Sequence, residues 1–415
     1  MEALERRDCP SVYYVSPEGH DTAAGTSAAP WRTLQHAANM VAAGDTVHVE
    51  AGTYSAGFVM GWDTPTAGTA QAPIGFLAAK GVTITGRNNK TADGIDLEPG
   101  CNYIDIVGFT INNASGTIAR AGIRDAGGTN VLIENNRCDR CGTWGIFTSH
   151  ADNVVIKNNV ASRAKTQHGI YVSNACVNPV IENNTCWGNY ACGIHMNGDL
   201  SQGGNGLITG ALVADNIIHD NGVGGGSAIN CDGVQNSVIE NNLLYHNHAS
   251  GISLYDQDAA AGAVNNLIVN NTIVMARDAR WAINIKNGST GNTVLNNILL
   301  DNNPAHGSIN IAADSLSGFT SDYNVVVDRF NPDDGNVAND TLAQWQSQTG
   351  QDRHSLIAAA GALFANLAKN NYHLKAGSPA IDAGTSSHAP AFDLSGNPRP
   401  VGKGYDIGCY EFQGN

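Results

Sequence analysis

Four ionisable side chains between residues 195 and 286 have the types that acid–base chemistry needs: His195, Asp232, Tyr255 and Lys286. A lysine or histidine held neutral accepts a proton, and a tyrosine or a protonated carboxylic acid donates one. Asp199, Asp256 and Asp258 add carboxylates nearby, and hard oxygen ligands of this kind, with Asp232, suit Ca²⁺. The same carboxylates also permit a pair in which Asp232 works with Asp199 or Asp256. These residues are dispersed along the chain, so the fold must bring distant segments onto one face.

Internal repetition supplies the means. A small residue followed by isoleucine recurs as Gly122-Ile123, Gly145-Ile146, Gly169-Ile170, Gly193-Ile194, Ala228-Ile229, Gly251-Ile252, Ala282-Ile283 and Ser308-Ile309. A paired asparagine recurs in the same repeats, as in Asn135-Asn136, Asn158-Asn159, Asn183-Asn184, Asn241-Asn242, Asn270-Asn271 and Asn296-Asn297. Short β-branched runs lie between these marks, with no room for an amphipathic helix. A unit so small buries its apolar face only by stacking on its neighbours. The pattern predicts an all-β chain: a single-stranded parallel β-helix, with the isoleucines as core and the inward asparagines as an amide ladder at a turn.

Strand alternation then sorts the side chains. With the isoleucine inward, the residues one and three places later point outward. The first outward column contains Arg124, Tyr171, His195, Asn230 and Asn284, and the second contains Asn197, Asp232, Tyr255 and Lys286. Coils stack ~4.8 Å apart, so the second set spans ~15 Å of one strip. In this reading Arg124, Tyr171, Asn197, Asn230 and Asn284 bind substrate, and the small residue before each isoleucine also faces out, leaving a shallow floor. The loop at 198–210 builds a wall beside His195, and Trp144 and Trp281 open coils at a turn.

The ends differ from the middle. Leu34, Ala37, Ala38 and Val41 share one helical face in residues 31–43, which predicts a helix that plugs the first coil and stops at Gly44-Asp45. Residues 341–348 predict a second short helix. The expected organisation is an N-terminal cap with first coils at 1–80, the β-helix at 81–330 and a capping segment at 331–415, together one structural domain and a monomer.

Composition narrows the class. Charged residues are 14% and hydrophobic residues 42% of the 415, which excludes a disordered chain. A net charge of -15 with only 22 Lys and Arg excludes a nucleic-acid-binding surface. No apolar run is long enough to span a membrane as a helix. The start, Met1 to Arg7, has no apolar core of the signal-peptide kind, so that segment is either removed or never present. Nine cysteines leave at least one outside any intrachain disulfide, and Cys138-x-x-Cys141 lacks the second close pair of a zinc ribbon.

Several motifs carry a resemblance. Tyr13-Tyr14-Val15-Ser16-Pro17, Pro30-Trp31, Ala43-Gly44-Asp45-Thr46-Val47 and Gly52-Thr53-Tyr54 resemble the N-terminal cap of exported right-handed parallel β-helix proteins of the pectate-lyase-like superfamily. The tail from Ser378 to Phe412 resembles the module known as choice-of-anchor Q. The resemblance implies a right-handed helix, secretion or a cell-surface location, and action on polysaccharide. Three functions fit that expectation. One is a lyase acting on a uronate-containing glycan, with Lys286 or His195 as base, Tyr255 as acid and Ca²⁺ held by Asp199, Asp232, Asp256 or Asp258. Another is a glycoside hydrolase using Asp232 with Asp199 or Asp256. A third is a non-catalytic glycan-binding or adhesive β-helix. None requires an organic cofactor. Related lyases of this shape pair the lysine with an arginine, and Arg277 and Arg280 lie only in a nearby loop.

Overall fold

The computed structural model describes residues 10–334 and 339–414. Met1–Arg7 and Cys9 lie outside the described residues. The chain is an all-β parallel solenoid with few helices, as predicted. It forms two compact units, one ending at Lys165 and one beginning at Thr166.

In the first unit, one sheet runs through Phe58–Met60, Ile95–Leu97, Ala121–Asp125 and Trp144–Ser149. Phe58, Ile95, Ile123 and Ile146 stand in one register column. The predicted helix is Leu34–Met40, capped by Thr33, whose side chain accepts the His36 N–H. Its Gln35 amide donates to the Val59 carbonyl at 2.8 Å and accepts the Val59 N–H at 2.9 Å. A side-chain amide thus does for the edge strand what a further strand would do, and it covers an edge open to misassociation. Asp45 ends the segment by accepting the Ser11 and Ala42 N–H groups.

In the second unit, the corresponding sheet runs through Ile170–Asn174, Ile194–Gly198, Ile229–Asp232, Ile252–Tyr255, Ile283–Ile285 and Ile309–Ile311. Ile170, Ile194, Ile229, Ile252, Ile283 and Ile309 stack in register. Each is fully buried.

The small residue before each isoleucine faces inward, contrary to the outward assignment. A Cβ on Gly169 would sit 2.7 Å from Asn189 Nδ2, and one on Gly193 would sit 2.3 Å from Ile218 Cγ2. Smallness is required by the packed interior and leaves no floor for a ligand.

The paired asparagines divide their work. The first of each pair, such as Asn241, Asn270 or Asn296, has φ between 53° and 55°, a left-handed turn conformation that asparagine tolerates better than most residues. Their side chains also hold the C-terminal tail. Asn241 donates to the Phe392 carbonyl, Asn270 to those of Asp406 and Gly408, and Asn296 to that of Thr385. A fully buried Arg399–Glu411 pair at 2.8 Å fixes the tail itself. The second asparagine of each pair points inward. Asn184, Asn216, Asn242, Asn271, Asn297 and Asn324 pass amide hydrogen bonds of 2.9–3.3 Å from coil to coil. A second ladder, not foreseen, joins Asn189, Asn221 and Asn247. The predicted second helix is Leu342–Thr349, opened by a capping box between Thr341 and Gln344.

Eight cysteines, all but Cys9, are buried free thiols. Burial in apolar surroundings makes such thiols inert.

The ladder yields a stability test. Asn271 accepts from the Asn242 N–H and Nδ2, and donates to the Ile239 carbonyl and to Asn297. Asn271→Ala orphans several buried groups at about 1–3 kcal/mol each, so a loss of about 3 kcal/mol or more is expected in urea unfolding. A loss below about 1 kcal/mol contradicts the ladder's role.

Candidate active site

A hollow of the second unit lies on the outward side of the isoleucine sheet. It has a volume of about 440 Å³, and Tyr255, Lys286, Arg280, Trp281, His306 and the amides of Asn230, Asn284 and Asn310 line it. Register explains the convergence: Asn230, Ser253, Asn284 and Asn310 are consecutive partners across the sheet. Lys286 lies just past the strand Ile283–Ile285 and continues the ladder through its N–H to the Leu254 carbonyl.

Of the residues singled out from sequence, this pocket gathers Tyr255, Lys286, Asn230 and Asn284. The Asn230 amide donates to the Tyr255 hydroxyl oxygen, so the phenolic proton is left to be given elsewhere. Burial, with the charge of Asp232, pushes the Tyr255 hydroxyl well above its usual range and keeps it protonated. Asn310 donates to Asn284 at 2.8 Å and to Asp334 at 2.6 Å.

Sequence reasoning did not select Arg280, His306, Asn310 and Asp334 for the site. Arg280 sits in a loop in the sequence, and that loop delivers it to the pocket wall directly before Trp281. Burial and the charges of Arg280 and Arg329 lower the pKa of His306, which favours its neutral form.

Other expected residues are placed differently. His195 does not line the pocket. Its ring stacks on Tyr171 at 4.9 Å and meets His168 edge-on, and His195 Nδ1 lies 3.1 Å from His168 Nε2. The Cys192 N–H donates to His168 Nδ1, which puts the His168 proton on Nε2 and the His195 proton on Nε2. His195 Nε2 has no hydrogen-bond partner among the described residues. Burial drives the His168 pKa down to about 4, and burial with His168 drives His195 well below the histidine range. His168, Cys192 and His195 place one potential ligand atom each within 4.8 Å of one another. Tyr171 instead serves as ring support for His195 and accepts the Asn197 amide at 3.2 Å.

Asp232 leaves its strand on the same side as its register partner Tyr255 but is buried under the loop that follows. Its two carboxylate oxygens accept the N–H groups of Gln257 and Asp258 at 2.9 and 3.0 Å, so it shapes the loop after Tyr255. Burial raises its pKa to about 6, the two N–H groups work against that, and Asp258 and Asp256 add to it. Asp256 is raised by burial and by Asp258. Asp199 caps the turn Leu200–Gln202 through the Ser201 N–H and hydroxyl. Asp232, Asp256 and Asp258 repel one another, yet no three of these carboxylates, Asp199 included, converge as closely as the His168 group. Arg124, in the first unit, is committed to Asp96 at 2.7 Å and Glu98 at 3.1 Å and is not a free substrate clamp.

Residues 13–164 match the family model described as Pel9A-like, right handed beta helix region. A pectate lyase, PEL9 of Emericella nidulans, is 38% identical over 78 residues, a stretch that covers 17% of this chain and 17% of that protein. The crystal structure of pectate lyase Pel9A superposes with a TM-score of 0.66 at 17% identity, covering 97% of this chain and 96% of that one. A rhamnogalacturonan lyase reaches 0.52 at 18% identity over 71% of this chain and 83% of its own. At these identities the structural likeness establishes the fold, a parallel β-helix.

The buried position of Asp232 carries a pH consequence. Its folded pKa near 6 exceeds the ordinary 3.8, so the folded state binds this proton more tightly than the unfolded state. Its contribution is therefore present in acid and is lost as pH rises from 3.8 to about 6. Asp232→Asn is expected to flatten the fall of Tm across that window, while lowering Tm overall because an amide N–H₂ faces the Asp258 N–H. An unchanged slope contradicts the assignment.

Proposed function

We propose that the protein is a polysaccharide lyase that cleaves a uronate-containing glycan by β-elimination in the pocket around Lys286. The observation that carries this reading is the meeting of Lys286, Arg280 and Tyr255 in one hollow of about 440 Å³. The reaction removes the proton at C5, breaks the C4–O bond, forms a C4–C5 double bond and returns a proton to the leaving oxygen. Lys286 takes the C5 proton on its amine nitrogen. Arg280 pairs with the substrate carboxylate, whose negative charge grows as C5 loses its proton. Tyr255 protonates the leaving oxygen, a role supported by the Asn230 bond that leaves its own hydrogen free. Trp281 and the Asn284 and Asn310 amides offer a flat wall and hydrogen bonds to sugar hydroxyls.

The pocket's chemistry favours this over hydrolysis. A hydrolase requires two carboxyl groups flanking the scissile bond. Asp232 is engaged with two backbone N–H groups, Asp199 with Ser201, and the one carboxylate among the lining residues is Asp334. The expected Ca²⁺ site does not fit this arrangement: among the described residues no three of Asp199, Asp232, Asp256 and Asp258 gather their oxygens within 4.8 Å of one another, and both Asp232 oxygens accept backbone N–H groups. A polymer substrate too large to enter a cell places the enzyme in the secreted or cell-surface fraction.

The test is a near-ultraviolet assay for the new double bond on pectate and related uronans. Lys286→Ala is expected to lose at least about 10³-fold in kcat and Tyr255→Phe about 10²-fold, within the range for acid–base groups. Arg280→Ala is expected to raise KM and lower kcat together. Retention of full activity by folded Lys286→Ala removes it as the base, and reducing ends released without the absorbance favour hydrolysis.

A further inference from the structure

The first unit holds a second feature with the chemistry of a sugar site. Trp62 is 49% exposed, whereas Trp31, Trp281 and Trp345 are buried and Trp144 and Trp187 are half-buried. The exposure of Trp62 is built into the backbone. Gly61 has φ +79°, and a Cβ there would lie 2.7 Å from Cys101 Sγ, so the chain is pressed against Cys101 and the next side chain is thrown outward. Two adjoining hollows of about 400 and 560 Å³ flank the site and share Gln35, Asn39 and Asn89 as walls. Lys90 Nζ stands 5.8 Å from the Trp62 ring centroid in the hollow that Asp63 also lines, and Arg32 lines the second hollow, where Asp21 is held by the Arg32 and Thr33 N–H groups and the Thr33 hydroxyl. Gln35 donates to Asn39 Oδ1 at 2.9 Å, which turns the Asn39 N–H₂ toward solvent.

We propose that this groove is a binding subsite for an acidic glycan, with Trp62 as the stacking platform. An indole face offers a surface for the C–H face of a pyranose, the Asn39 and Asn89 amides suit its hydroxyls, and Lys90 and Arg32 suit a sugar carboxylate. The lining is too polar for a protein docking face, since the nearer hollow is ringed by amides, hydroxyls and charges. The subsite holds polymer and performs no chemistry. It stands whether or not Lys286 is the base.

The full chain, with Trp62→Ala, Trp62→Phe and Lys90→Ala variants, is run through gels containing pectate or a neutral glucan, and turnover of a short uronate oligomer is followed in parallel. Trp62→Ala is expected to weaken retardation by pectate at least 10-fold, with Trp62→Phe recovering part of the loss. Lys90→Ala is expected to weaken retardation by pectate. Tm and short-oligomer turnover are expected to stay at parental values. Retardation of Trp62→Ala equal to the parent, absence of pectate binding by the parent, or equal binding of the neutral glucan each overturns the proposal. Loss of turnover in the parent with binding intact overturns the lyase reading alone.

Discussion

The structure depends on one repeated interaction, the inward amide hydrogen bond passed from coil to coil. In a parallel solenoid nothing but register decides which distant residues become neighbours, because a strand that slips by one residue sends its side chains to the other face. The Asn184–Asn324 ladder sets that register from inside, since each amide both donates to the next coil and accepts a backbone N–H from the coil before. Buried amides are costly if unpaired and specific if paired. The ladder therefore stabilises one stacking and penalises the alternatives. The apolar isoleucine columns gain from burial but tolerate sliding past one another.

The outer face inherits that order. Asn230, Ser253, Asn284 and Asn310 stand in one row because their isoleucine neighbours do, and Tyr255 and Lys286 follow at the strand ends. Chemistry is then added by the segments between strands. The loop before Trp281 brings Arg280 to the row, and the loop after Tyr255 is held by Asp232. A rigid sheet with variable rims is an economical way to place a few charged groups, and it agrees with a fold that hosts several activities.

The fold was legible because its signals are periodic. The isoleucine and asparagine columns, the helix at Leu34–Met40 and the capping box at Thr341 all depend on local spacing. The site was legible only where it lies on the strands: Asn230, Tyr255, Asn284 and Lys286. Alternation says which way a side chain leaves the backbone, not what later covers it. His195 and Asp232 leave outward and are then covered, one by Tyr171 and His168 and the other by the loop at 256–258. Arg280 failed in the opposite sense, as a loop residue whose destination no period encodes. The glycines before the isoleucines misled because smallness was read as room for a ligand when it was room for the next coil's side chains.

The central claim is that Lys286, Arg280 and Tyr255 surround the reacting sugar. A crystal structure of the Lys286→Ala protein with a uronate oligosaccharide tests it most directly. The account predicts a sugar carboxylate paired with Arg280, the C5 hydrogen of that sugar facing the space vacated by the amine, and the glycosidic oxygen within hydrogen-bond reach of the Tyr255 hydroxyl. An oligosaccharide bound with its carboxylate away from Arg280, or outside this pocket altogether, would contradict it.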